Sequence, residues 1–226
     1  GIQSNTSVNE DVEMTSDITL PELTAYALQS GIYRQDNYAQ EDAAAVMARG
    51  GAGYIYDSDY MRVIVSAYSS QSDASAVHDQ LMNDDNYETW EYVISAPETT
   101  LSVTATESEI AVIKDFFSFI SETSKKLESY SAEYSENNIS AEEISAETSD
   151  IAAEFATHEK LLSNLGQDDG GILPYILELA SELKECVVFD GTGKSDVEIL
   201  SKLKYNYIWY TDVYSRFLEE IRGNAV

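Results

Sequence analysis

The stretch Tyr60-Met61-Arg62-Val63-Ile64-Val65-Ser66-Ala67-Tyr68 decides how the amino half of this chain is read. It is rich in β-branched and aromatic residues, with no proline or internal glycine, which is the composition of a strand packed on at least one face. Alternation puts Tyr60, Arg62 and Ile64 on one side and Met61, Val63 and Val65 on the other. The apolar set Met61, Val63, Val65 suits packing against helices, and the set with Arg62 suits an open face. Immediately before it, Asp57-Ser58-Asp59 reads as a turn. The turn is preceded by Tyr54-Ile55-Tyr56, a short strand whose two tyrosines share a face if Ile55 is core.

Working outward, Leu23 to Tyr33 reads as a strand ending near Gly31, followed by a helix from Tyr38 to Arg49 capped by Asn37 and stopped at Gly50-Gly51. After Tyr68 a second helix runs from about Gln71 to Asn83, and Tyr87 to Ser95 closes the unit as a fourth strand before Pro97. The order β-α-β-β-α-β predicts a four-stranded antiparallel sheet with both helices on one face and the other face open. On Tyr87–Ser95, Trp90 and Tyr92 oppose Glu91 and Val93, and the sequence does not say which pair is core.

Beyond Pro97 the grammar changes to long helices. Thr106 with Glu109, Ser140 with Glu143 and Ser195 with Glu198 each form a capping-box pattern. Apolar residues then recur at helical spacing: Ile110, Ile113, Phe116, Phe117 and Ile120 after the first, Ile144, Ile151, Phe155 and Leu162 after the second. A shorter helix from Pro174 to Glu185 and a last one from Asp196 to Arg222 complete an antiparallel bundle. On the last helix Tyr207, Tyr210, Tyr214 and Phe217 form a core stripe, while Tyr205 and Trp209 lie off it and are candidates for packing on the first domain or on another protein. The expected class is therefore α+β: residues 1–17 a disordered linker, 18–97 a βαββαβ domain, 98–104 a linker and 105–226 a helical bundle.

Charge narrows the partners. Among 226 residues, 41 are acidic and 13 basic, a formal charge of −28. A phosphate backbone would be repelled, because nucleic-acid affinity rests on Lys and Arg displacing counterions. Anionic membrane surfaces are equally disfavoured. No apolar run approaches the roughly 18 residues of a spanning helix. A start at Gly1 followed by polar sequence predicts a linker downstream of a removed segment such as a membrane anchor. One cysteine and two histidines supply no zinc pattern, and no metal or other cofactor is expected. Gly191-Thr192-Gly193-Lys194-Ser195 lacks the first glycine of a phosphate-binding loop, since position 188 is Val188, and reads as a turn into a capped helix. A Cys186–His158 thiol–imidazole pair is disfavoured because the cysteine follows an amphipathic helix and reads as a buried apolar group. The chain is not expected to be an enzyme.

Leu28-Gln29-Ser30-Gly31-Ile32-Tyr33, the alanine-containing first helix, and Tyr60 to Tyr68 together resemble a SPOR domain, the sporulation-related module of bacterial cell-wall and cell-division proteins. The likeness covers about residues 20–97. It departs from the family pattern at Ser30, Ser66 and Ala67, where the family has an apolar residue and Gly-Pro. The resemblance implies non-catalytic binding of peptidoglycan glycan strands, preferentially those stripped of stem peptides. It also implies a location outside the bacterial cytoplasmic membrane with an amino-terminal transmembrane tether. On such a platform the candidate glycan-binding residues are Gln29, Tyr54, Tyr56, Tyr60, Arg62 and Ile64. Tyrosine rings suit pyranose faces, Gln29 can read hydroxyls and acetamides, and the Arg62 fork suits the lactyl carboxylate of denuded muramic acid. The competing role for Arg62 is a surface ion pair with Asp57 or Asp59. The helical domain would be a spacer or a contact for division or sporulation proteins. The alternative is a protein-interaction scaffold whose SPOR-like domain has lost sugar binding.

Overall fold

A computed structural model describes residues 12–166 and 171–223. The fold is α+β, with six helices and two small antiparallel sheets among the described residues. Strand β1 (Met14–Leu20) is followed by β2 (Ala25–Tyr33), α1 (Asp36–Ala48), β3 (Tyr54–Asp57), β4 (Met61–Tyr68), α2 (Gln71–Asp85), β5 (Trp90–Ile94) and β6 (Thr99–Ala105). Helices α3 (Glu107–Ser135), α4 (Ala141–Ser163), α5 (Leu173–Cys186) and α6 (Asp196–Gly223) make up the rest.

The larger sheet has the order β3-β4-β2-β5, every neighbour antiparallel. Helix α1 packs on it through Ala39, Ala43 and Val46 against Val63 and Val65, joined by Ile55 and Met61. The alternation expected of Tyr54–Tyr56 and of Met61–Val65 is thus the one adopted, whereas Tyr60, expected to open the strand, lies in the turn before β4. Register shifts around Gln29 mark bulges in β2 and β4. Ser30 turns its hydroxyl to Asp42 of α1 at 2.8 Å, a bond that an apolar residue there could not make. Gly53 (φ +61°) makes the turn into β3, where a Cβ would stand 2.6 Å from the Ala43 carbonyl oxygen. Helix α1 begins at Asp36 with Gln35 as N-cap and no side-chain cap, so Asn37 lies inside the first turn and does not cap it.

Three capping expectations are met in position. Thr106 and Ser140 form complete capping boxes with Glu109 and Glu143. The Ser195 hydroxyl receives the Glu198 amide at 3.3 Å while the Glu198 carboxylate receives the Ser195 amide at 2.8 Å. Helices α3, α4 and α6 start where these pairs stand.

The domain expectations require correction at both linkers. Residues 14–20 are the strand β1 and residues 99–105 the strand β6, and the two pair antiparallel from Met14↔Ala105 to Leu20↔Thr99. This second sheet packs on α3 through Ile18, Leu20, Val103 and Ala105. Its polar, alternating sequence hides only every second residue, which is why it reads as linker until its partner strand is known. The part of the expected linker before residue 12 lies outside the described residues. A further correction follows: one continuous core joins Ala25, Ala27, Tyr54, Tyr56, Ile64 and Ile94 of the larger sheet to Tyr207, Tyr210, Tyr214 and Phe217 of α6. The two halves share that core.

Candidate functional site

The sheet face away from α1 and α2 carries Ala25, Ala27 and Gln29 of β2, Tyr54 and Tyr56 of β3, Arg62 and Ile64 of β4, and Trp90, Tyr92 and Ile94 of β5. The pairings Gln29↔Ile64, Gln29↔Trp90, Ala27↔Tyr92 and Tyr56↔Arg62 put these residues on one side. Sequence alternation left the orientation of Trp90 and Tyr92 undecided, and cross-strand register decides it.

Most of this face is covered. Helix α6 lies across β3, β4 and β5. Tyr54 and Tyr56 are each only 8% exposed and Ile64 is fully buried, so the open platform expected at these three residues is overturned. Their partners are internal. The Tyr54 hydroxyl donates to Asp212 at 2.5 Å and its ring meets Tyr205 edge-on at 5.0 Å between centroids. Burial and the Asp212 carboxylate hold the Tyr54 phenol well above its ordinary pKa, and burial likewise pushes Tyr56 up to about 12. Arg216 donates to Asp212 at 2.8 Å and to the Asp57 carbonyl at 2.9 Å, with its guanidinium 5.8 Å over Tyr56. Along α6, Lys204 donates to the Gly50 carbonyl, Tyr214 to that of Pro21 and Ser215 to that of Ser95. The aromatic excess at Tyr205 was the sequence signal for this docking.

One end of the face stays uncovered. There the Arg62 guanidinium lies 4.2 Å over Tyr92, donates to the Gln29 amide oxygen at 3.1 Å and stands 3.7 Å from Asp59. Its side chain is 14% exposed and its Nε is buried without a partner. Arg62 is therefore half ion pair, half packed strand residue, and not the freely exposed cation expected. Gln29 is buried beside it and offers only what Arg62 leaves free. Trp90, 48% exposed, flanks the pair on β5, and Ile32, paired with Arg62, is also exposed. Tyr60 is half-buried and receives a bond from Arg34 at 3.2 Å, with that guanidinium 5.3 Å over its ring. Of the six residues picked from the sequence, the structure groups Gln29 and Arg62 at this end with Tyr60 nearby, and seats Tyr54, Tyr56 and Ile64 under α6. Trp90 and Tyr92, whose face alternation left open, and Ile32, which the sequence did not single out, also lie at this end.

A strip of tryptophan, tyrosine and two guanidiniums offers flat apolar faces beside planar donors, a chemistry suited to sugar rings or to a polypeptide. Elsewhere, Met47, Val188, Phe189, Tyr205 and Trp209 line a groove of about 790 Å³ beside α6, with the Lys202 ammonium over both aromatic rings. The residues set aside from the sequence stay separate. Cys186 is fully buried and directs its thiol to the Glu182 carbonyl, and His158 stacks on Phe119 at 4.8 Å. Among the described residues no group of three His, Cys, Asp or Glu side chains is placed to hold a metal ion. No described helix is long and apolar enough to cross a membrane.

Comparison with protein-family models, with curated proteins and with solved structures gives no match to this chain.

Proposed function

We propose that this chain is a non-catalytic binding protein of the bacterial cell wall. In this proposal residues 20–97 form a SPOR-like βαββαβ unit, acting outside the cytoplasmic membrane, that takes peptidoglycan glycan strands at the uncovered end of its sheet. The observation that carries it is the exposed Trp90 ring flanking the Arg62–Tyr92 stack. A pyranose laid on Trp90 would bring its substituents toward the Arg62 fork, whose weak ion pair with Asp59 at 3.7 Å is readily exchanged for a sugar carboxylate. The helical half then acts as a clamp on the sheet instead of a spacer.

The test is co-sedimentation of the full chain with isolated sacculi, untreated or stripped of stem peptides by an amidase. Binding should rise on stripping. Trp90→Ala should weaken it by about tenfold or more, in line with loss of a central aromatic anchor. Tyr54→Phe, altered only beneath α6, should leave it unchanged. Absence of binding by the folded chain would sink the glycan proposal.

A second reading, a protein-interaction scaffold that no longer binds sugar, is favoured by one specific observation: α6 occupies the ground over Tyr54, Tyr56 and Ile64 that a long glycan would need. Failure to sediment with either kind of sacculus would favour it.

A further inference from the structure

The larger sheet ends at β5, which pairs with β2 and, among the described residues, with no strand beyond. Antiparallel pairing uses every second residue's backbone groups, so the alternate N–H and C=O groups of Trp90–Ile94 point outward. The opposite edge, β3, is only four residues long and has its Asp57 carbonyl held by Arg216. Natural sheets blunt an edge with charge, proline, a bulge or brevity; β5 has no lysine, proline or bulge within its five residues, and its one charged side chain is Glu91. It presents instead Trp90 on one face and Val93 on the other, each 48% exposed.

On its helix side this edge is flanked by acidic side chains, while on the other face the Arg62 guanidinium lies over Tyr92. Glu91 is exposed, shares the helix-side face with Val93 and receives the Ser75 hydroxyl at 2.6 Å. Glu88 precedes the strand, and the flanking α2 exposes Asp79, Asp84 and Asp85 while carrying no lysine or arginine. A second copy brought edge to edge would set these carboxylates against one another, in a chain already at −28.

The geometry points to β5 as a docking edge for an extended, basic segment of another polypeptide, added as a fifth strand to the sheet. Its backbone would complete the ladder. Lysine or arginine on the helix-side face would meet Glu91 and the α2 carboxylates, and apolar residues on the other face would cover Trp90 and Tyr92. This surface shares the Trp90 ring with the glycan proposal and differs from it in using the β5 backbone groups and the α2 side of the sheet.

The experiment is titration of the full ¹⁵N-labelled chain with a capped hexapeptide of alternating lysine and valine, followed by amide chemical shifts. Two control peptides are used: glutamate in place of lysine, and the lysine peptide with alternate backbone nitrogens methylated. Saturable shifts confined to residues 88–95, given by the unmodified lysine peptide alone, are expected. Combined Glu88→Lys and Glu91→Lys substitution should weaken that binding roughly fivefold, as two cross-strand charge pairs are lost. Equal shifts with the methylated peptide would mean charge attraction without strand addition and would overturn the inference. So would shifts centred on other acidic surfaces, or no shift at all.

Discussion

Asp212 is the residue on which the joining of the two halves can be tested. It sits on α6, 3% exposed, and accepts from the Tyr54 hydroxyl of β3 at 2.5 Å and from Arg216 at 2.8 Å. Asp212→Ala strands the Tyr54 hydroxyl in a buried interface. A hydrogen bond to a charged group contributes about 1.5–3 kcal/mol. The Arg216 pair adds at most about 0.5 kcal/mol, since the arginine side chain is 54% exposed and screened by solvent. Relief of carboxylate desolvation works the other way, so a net loss of about 2–3 kcal/mol is expected. Tyr54→Phe should cost about 1.5–2 kcal/mol on the same ground. The double variant should cost little more than Asp212→Ala alone, giving a coupling of about 1.5 kcal/mol, because each substitution removes the same bond. Urea unfolding followed by circular dichroism measures all four stabilities, and the wild type should unfold in one transition through its shared core. If α6 were instead free of the sheet, both residues would be solvent-facing. Each single change would then fall within about 0.5 kcal/mol and the pair would be additive, an outcome that refutes the docking.

Two further measurements probe the helical half. His158 stacks on Phe119 and meets Phe116 at a tilt, with its Nδ1 unpartnered, and burial lowers its pKa below the usual 6.5, against the raising influence of Glu154 and Asp115. The unfolded chain therefore takes up this proton at a higher pH than the folded one, so stability is full above about pH 6.5 and declines as pH falls below it. The urea midpoint should drop from pH 7.5 to 5.5 by more in the wild type than in His158→Phe, and equal drops would contradict this. Burial, with help from Glu182, raises the Cys186 thiol far above its ordinary pKa. At pH 8 an aromatic disulfide reagent should label it only as fast as the native state opens, and immediate labelling would place the thiol at the surface.

Much of the architecture was legible in the residues because it depends on local rules. Helix starts at Thr106, Ser140 and Ser195 are set by hydroxyl and carboxylate groups three residues apart, and the inward face of Val63 and Val65 by the two-residue period of a strand. The strands β1 and β6 were not legible. Their polar alternation becomes a sheet only when the two pair across about 85 residues of intervening chain, a separation visible in Ser102 bonding to Asp17.

For the candidate site the division falls in the same place. Sequence alone determined that Tyr54 and Tyr56 share one side of their strand and Arg62 and Ile64 one side of theirs, since alternation is a property of the strand itself; the pairings Tyr54↔Ile64 and Tyr56↔Arg62 set all four on one face. It also determined the formal charge of −28, from which repulsion of a phosphate backbone is expected. Only the tertiary structure decided what that face touches. Tyrosine serves as well for a core as for a sugar platform, because its ring is apolar and its hydroxyl needs a single partner. Here Asp212, on a helix 158 residues further along the chain, supplies that partner to Tyr54, while Trp90 on the neighbouring strand stays in solvent.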